Sequence, residues 1–415
     1  MTELAAVEKR PLRFLLDMGV YNLGINLVWI SYNSILLPLM VQGTTSAATK
    51  GLWLGIISVV SILAGITANI LSAVVSDHSQ SGLGKRTPNI LIGALLAAVV
   101  IGVSAAVPQT LPLVFAAYFL LQITGNVSVG AYQPLLADIV PENQRGLASG
   151  LQSAFTILGA AAGFVGVTSL VSAGKMEWAL LAIAAVFVLT TVFNSIVIRR
   201  EDRPLQRAEP LSLGKALPEM FRVQTRVPGF FWFVFANFLM YMGVSSFASY
   251  GIYYLDTVLR MPNPVAAMGV AGVVGITVNV VAAVAAGLAS DRVGRKNLIV
   301  AAGVFSGLSC LLFPFLRNFG LFIAISALYG AANGVVYSVN QALACGLVPP
   351  DESGKYLGYN NLSIGLANAF APLVFGVILN MRGAPTVTSF TVFFLVAAAF
   401  YWTSSVVFAM RVPKR

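Results

Sequence analysis

About twelve runs of roughly twenty apolar residues follow one another along this chain, each long enough to cross the hydrocarbon core of a bilayer as a helix. They read near 12-41, 51-75, 88-107, 111-136, 147-172, 178-198, 229-256, 264-289, 297-316, 319-347, 355-380 and 387-410, six in each half. With 58% hydrophobic and 10% charged residues and a mean hydropathy of +0.84, the chain has too few charges to clothe a soluble globule of its size. The expected fold class is an all-α polytopic membrane protein.

The two halves repeat each other. Ser76 to Arg86 reads S-D-H-S-Q-S-G-L-G-K-R, and a shortened copy, S-D-R-V-G-R-K, runs from Ser290 to Lys296, each between two long apolar segments. Asp77 and Asp291 stand 214 residues apart, and V-P-E-N-Q-R-G from Val140 is echoed by V-P-P-D-E-S-G from Val348 at a spacing of 208. A period of half the chain excludes short solenoid repeats and leaves two homologous halves, as in transporters whose site lies between repeats. The expected domains are residues 1-198 and 229-415, each a bundle of six helices. A polar linker rich in Arg, Pro and Glu, 199-228, joins them.

Placing the N-terminus in the cytoplasm puts 20 of the 25 basic residues inside and leaves Lys50, Lys175, Arg260, Arg317 and Arg382 outside. That asymmetry is what the positive-inside rule requires, so the net charge of +10 reports topology and attraction to anionic headgroups. Nucleic acid is not an expected partner. The first apolar run is too long for a cleaved signal peptide, and both termini are expected in the cytoplasm of a cell-membrane protein. Cys310 and Cys345 lie in apolar spans and read as packing residues. The one histidine, His78, lies on a loop. No catalytic set, metal site or cofactor site can be assembled, and no enzymatic activity is expected.

The apolar spans carry neutral polar stripes instead. Asn22, Asn26, Trp29 and Asn33 in the first span are spaced 4, 3 and 4, which puts them on one helical face. The fourth span carries Tyr118, Gln122, Asn126 and Gln133. The seventh has Asn237, Tyr241, Ser245 and Ser249, and the tenth has Asn333, Tyr337, Asn340 and Gln341. An amide facing lipid would lose hydrogen bonds, so these stripes are expected to face one another or a watery cavity. Two readings stand: contacts to a solute, or polar glue between helices.

Across essentially its whole length the chain resembles the major facilitator superfamily, through the two loop motifs, the arrangement of six plus six spans and the basic central linker. The longer first loop, S-D-x-x-x-S-x-x-G-K-R before Thr87-Pro88, is similar to that of the glycoside-pentoside-hexuronide cation symporters and their sucrose-transporter relatives. G-I-N-L-V-W-I-S-Y-N-S-I-L-L-P from Gly24 and N-V-S-V-G-A-Y-Q-P-L-L-A-D from Asn126 add to that likeness. The resemblance implies the major facilitator fold, two pseudo-symmetric bundles rocking about a central site. It also implies that Asp77, Lys85, Arg86, Asp138, Arg145, Asp291, Arg292, Arg295 and Lys296 form a cytoplasmic gate; the bland reading is that they only set topology.

The chain also departs from those relatives. Gln122 and Gln133 stand where sucrose transporters carry an acid and a base, and the second span lacks the carboxylates of sodium symporters. Asp17 is the one acidic residue left as a candidate for proton coupling, with a plain helix-end charge as the other reading. The spacing of Gly150, Gly159 and Gly163 partly matches the antiporter motif of drug exporters, but Phe164 replaces its proline.

The expected function is secondary transport of a small neutral polar solute, a sugar or glycoside, by a monomer in the lipid bilayer. The proton is a conditional second partner. Asn22, Asn26, Trp29, Asn33, Gln122, Asn126, Gln133, Asn237, Tyr241, Asn333, Tyr337 and Asn340 are the candidate contacts. The alternatives are a proton-coupled exporter of amphipathic compounds and a transport-inactive sensor or scaffold.

Overall fold

A computed structural model describes residues 9-202, 229-347 and 353-413. They form twelve helices long and apolar enough to cross a membrane: α1 Leu12–Thr44, α2 Lys50–Asp77, α3 Thr87–Ala106, α4 Leu111–Ile139, α5 Glu142–Ser172, α6 Met176–Ile198, α7 Phe230–Thr257, α8 Pro264–Ser290, α9 Arg295–Phe315, α10 Phe319–Ala344, α11 Gly358–Asn380 and α12 Val387–Arg411. Among the described residues there is no strand. Local signals set the ends. Pro264 opens α8 behind Asn263, whose side chain accepts from Ala266 N, and Thr386 and Ser389 cap α12 reciprocally. Most of the linker, 203-228, and the start of the Val348 echo lie outside the described residues.

Two helices are not regular throughout. α1 passes through a π turn at Tyr32–Leu36, and α5 through another at Gly163–Val167. A π turn takes more residues per turn, so it rotates everything beyond it relative to a regular helix. The stripe expected at Asn22, Asn26, Trp29 and Asn33 therefore does not continue as one straight face: Asn33 sits inside the turn.

The chain packs as two compact units, one of Met1–Tyr32 with Leu63–Phe221, the other of Asn33–Ile62 with Arg222–Arg415. In the first unit α1 packs on α5 and α6, and α3 on α4 and α6. In the second, α7 packs on α11 and α12, α9 on α10 and α12, and α8 on α10. The second unit also takes in the end of α1 and the start of α2. There, Tyr250 Oη donates to Gly51 O at 3.0 Å and to Pro372 O at 2.5 Å, and Asn380 binds Ala47 O, Ala48 O and Leu52 N.

The duplication is visible in the packing. A Cβ on Gly130 of α4 would stand 2.1 Å from Asn69 O of α2, and one on Gly334 of α10 would stand 2.2 Å from Asn279 O of α8. Each unit thus brings corresponding helices into backbone contact at a glycine, which no side chain permits.

Candidate functional site

In the first unit the polar residues of α1 are tied to α4 and α5. Asn22 donates Nδ2 to Tyr132 Oη at 2.8 Å. Tyr132 in turn donates to Met18 O, receives Gln152 Nε2 at 3.2 Å and stacks on Tyr21 at 4.0 Å. Asn26 donates to Asn22 O and to Thr156 Oγ1. Further along, Gln122 donates to Tyr118 Oη at 2.7 Å, and Asn126 donates to Gln122 O and Oε1 at 2.8 and 3.1 Å. The Trp29 ring of α1 lies against Gly125 of α4, and Gln122 and Asn126 lie together against Gly65 of α2. Gln133 is exposed, and Asn33 belongs with the other unit.

In the second unit the amides of α7, α10 and α11 meet. Asn237 donates Nδ2 to Asn360 Oδ1 at 2.7 Å and to Ser363 Oγ at 3.0 Å, while Asn340 Nδ2 lies 3.5 Å from the same Asn360 oxygen. The rings of Tyr241 and Tyr337 meet edge to face at 5.6 Å, and Tyr337 is half exposed. Asn333 is set apart: its Oδ1 lies 3.0 Å from the hydroxyl of Tyr401, itself 2.9 Å from that of Tyr329. Asn360 and Ser363 were missed in the sequence reading, although α11 carries amides in an apolar run just as α1 and α4 do. Beside them an apolar cleft of about 270 Å³ opens between α7 and α11, lined by Phe230, Phe231, Val234, Phe238, Tyr359 and Ser363 among others.

Charge gathers elsewhere. Arg86, its side chain almost wholly buried, binds Asp77 at 2.7 Å and Asp138 at 2.6 Å, and Lys85 binds the same two carboxylates at 2.8 and 3.5 Å. Two cations and two anions close on themselves, which offsets the cost of burying the guanidinium. Asp202, also missed in the sequence, caps α3: its Oδ2 accepts from Arg86 N, Thr87 N and Thr87 Oγ1, each at 2.8 Å. Arg145 is not part of this cluster; it donates to the carbonyls of Val140 and Ala137. In the second copy Arg295 donates to Ala342 O and Lys296 to Val412 O, and Arg292 is exposed. The side chain of Asp291 lies outside the described residues.

Asp17 faces Arg13 one turn earlier at 3.7 Å. In the second unit Lys50 approaches Asp256 at 4.0 Å and lies over the Tyr253 ring at 4.4 Å, with Tyr253 Oη donating to Pro38 O at 2.7 Å. Every charged side chain within the described spans thus lies in the first or last two turns of its helix. Among the described residues no group of three or more His, Cys, Asp or Glu could hold a metal.

The family model of the Major Facilitator Superfamily matches residues 13–285 and 267–415. Among curated proteins, the chain is 31% identical over 97 residues to the vacuolar basic amino acid transporter 1 of Saccharomyces cerevisiae, an alignment covering 23% of this chain and only 17% of that protein. It is 22% identical over 403 residues to the multidrug resistance protein MdtG of Escherichia coli, covering 95% of each. Among solved structures, the nucleoside transporter NupG superposes with a TM-score of 0.74 at 15% identity, over 96% of this chain and 98% of that one.

Proposed function

Because the chain belongs to the Major Facilitator Superfamily, as a multi-pass transporter of a small solute, we propose that its solute is neutral and polar, a sugar or glycoside. We further propose that it sits in the cell membrane with both termini cytoplasmic, as the 20 to 5 division of basic residues favours. The observation that carries the solute reading is the chemistry of the span middles: between the first and last two turns of the described spans stand amides and phenols such as Asn26, Gln122, Asn126, Tyr241 and Asn333, but no charge. Such groups exchange hydrogen bonds with hydroxyls and stack on rings, and they do not neutralise an ion. The long first loop supports placing the chain near the glycoside-pentoside-hexuronide and sucrose group.

The apolar cleft between α7 and α11 favours a second reading, export of amphipathic compounds, to which the likeness to MdtG over 95% of both chains also lends weight. Uptake into proteoliposomes separates the two. Labelled methyl β-D-glucoside and uridine, both neutral, are compared with lysine and with the lipophilic cation ethidium. Saturable flux of a neutral compound with none of the cations is expected, whereas ethidium flux alone would replace the first reading by the second.

A further inference from the structure

The apolar cleft of the second unit begins at the first turn of α7 and runs along it beside α11. Phe231, Val234, Phe235 and Phe238 line it from α7, Leu362 and Leu366 from α11. The eight-residue step from Phe230 to Phe238 gives it a depth of about 12 Å. Spread over that depth, 270 Å³ makes a slot about 5 Å across, half the width of a helix with its side chains. A helix of a second copy does not fit; one extended alkyl chain does, its carbons meeting the walls at about 4 Å. The slot is not sealed, since Phe231 and Phe235 are 60% and 39% exposed. Ser363, which also lines it, has its hydroxyl spent, accepting from Asn237 Nδ2 at 3.0 Å and donating to Asn360 O at 2.8 Å. A guest without hydrogen-bonding groups loses nothing on entering, whereas a hydroxylated one gives up bonds to water.

The mouth of the slot is different in kind. Trp232 meets Phe231 at 5.6 Å and Phe235 at 6.3 Å, both edge to face, and carries the guanidinium of Arg411, at the end of α12, over its ring at 5.4 Å. Arg411 thus stands one ring away from the wall of the slot. It is exposed and held by a ring instead of a carboxylate, so its fork of N–H donors stays open to an anion. Lys414 and Arg415 follow it in the sequence. A tryptophan and a cation at the end of an apolar span are the groups that meet lipid headgroups.

We propose that the cleft and its rim form a site for one anionic phospholipid, an acyl chain lying in the slot between α7 and α11 and the phosphate meeting Arg411 above Trp232. This goes beyond the solute reading and does not depend on which solute is carried. A basic, aromatic rim joined to an apolar slot selects for both parts of its guest: free phosphate lacks the chain, and a zwitterionic lipid lacks the net charge.

The test uses the full chain in phosphatidylcholine vesicles doped with a phosphatidylglycerol that carries a diazirine midway along one acyl chain. Illumination should place most crosslinks at 230–238 and 359–366. Unlabelled phosphatidylglycerol should suppress them about fivefold more effectively than phosphatidylcholine, the worth of one basic contact with an anionic headgroup, and inorganic phosphate should not suppress them. Arg411→Gln, a change at an exposed residue, should equalise the two lipids and leave the crosslinked positions where they were. Val234→Trp fills the slot and should move the crosslinks elsewhere, with its unfolding midpoint measured alongside; if that variant does not fold, the parent map and Arg411→Gln decide. Crosslinks scattered over all exposed helix faces, a lipid preference that survives Arg411→Gln, or crosslinks unmoved in a folded Val234→Trp would overturn the proposal. Suppression by ethidium would overturn it too and give the cleft to an exported amphiphile. Uptake of methyl β-D-glucoside and uridine is scored in the same vesicles without illumination, and its absence counts against the neutral-solute reading alone.

Discussion

The contacts of Asn380 allow the attachment of the α1–α2 corner to α11 to be tested quantitatively. Asn380 Nδ2 donates to Ala48 O at 2.7 Å and Ala47 O at 3.2 Å, and its Oδ1 accepts from Leu52 N at 3.0 Å. Alternating access is expected to require this attachment, which the second unit includes in the present structure, to come apart in another state. Asn380→Ala removes all three bonds. At about 0.5–1.5 kcal/mol each, and towards the low end because the side chain is partly solvated, the loss is about 2 kcal/mol. That corresponds to a roughly 30-fold rise in the detached population. Leu54, fully buried in the same segment, reports it: with Cys310 and Cys345 replaced by Ser, Leu54→Cys is labelled by an impermeant maleimide only when the corner opens. At maleimide concentrations low enough that labelling is slower than reclosing, the rate follows the open population. A labelling rate raised tenfold or more by Asn380→Ala, with the unfolding midpoint within a few degrees of the parent, is expected. A rate within twofold of the parent would refute the reasoning and make the contacts incidental.

Four further outcomes are expected. Gly130→Ala and Gly334→Ala each force a methyl into a backbone carbonyl at about 2 Å, and each should cost at least about 1–3 kcal/mol of stability, read as a lowered unfolding midpoint; tolerance at either would show that the helix pair can spread. Asp202→Ala removes the cap of α3 and should cost about 1–2 kcal/mol by the same measurement, while Asp202→Asn should cost less. Asp77→Asn should slow solute flux while leaving its apparent affinity within a few fold, and a large loss of affinity at normal turnover would move Asp77 from gate to site. Asp17→Asn should leave solute exchange unchanged and reveal no proton-driven accumulation to lose; accumulation in the parent under an inward proton gradient, abolished by Asp17→Asn with exchange retained, would instead assign coupling to that carboxylate.

Much of the scaffold was legible in the residues alone. Backbone groups in lipid must bond within their own helix, so each span depends only on its local sequence, and the ends read from the sequence fall close to those observed, as at 264-289 against Pro264–Ser290. The repeated S-D loop likewise announced the duplication that Gly130 and Gly334 express in the packing. Burial of charge also followed locally, since no charged group lies in the middle of a described span.

Which polar groups meet was decided by the tertiary structure, because a side chain's partners depend on helix rotation and approach. The π turn at Tyr32–Leu36 breaks a stripe whose spacing looked regular, and Asn333 went to Tyr401 while Asn237 and Asn340 went to Asn360. Asp202, a plain acidic residue after the sixth span, became a helix cap only because the chain brings it back to α3, and Asn33–Ile62 joined the second unit through contacts more than a hundred residues away in sequence. The sequence by itself determined the helices and the kind of polar group each carries. Long-range packing decided which of those groups meet one another, as Asn237 and Asn340 do at Asn360.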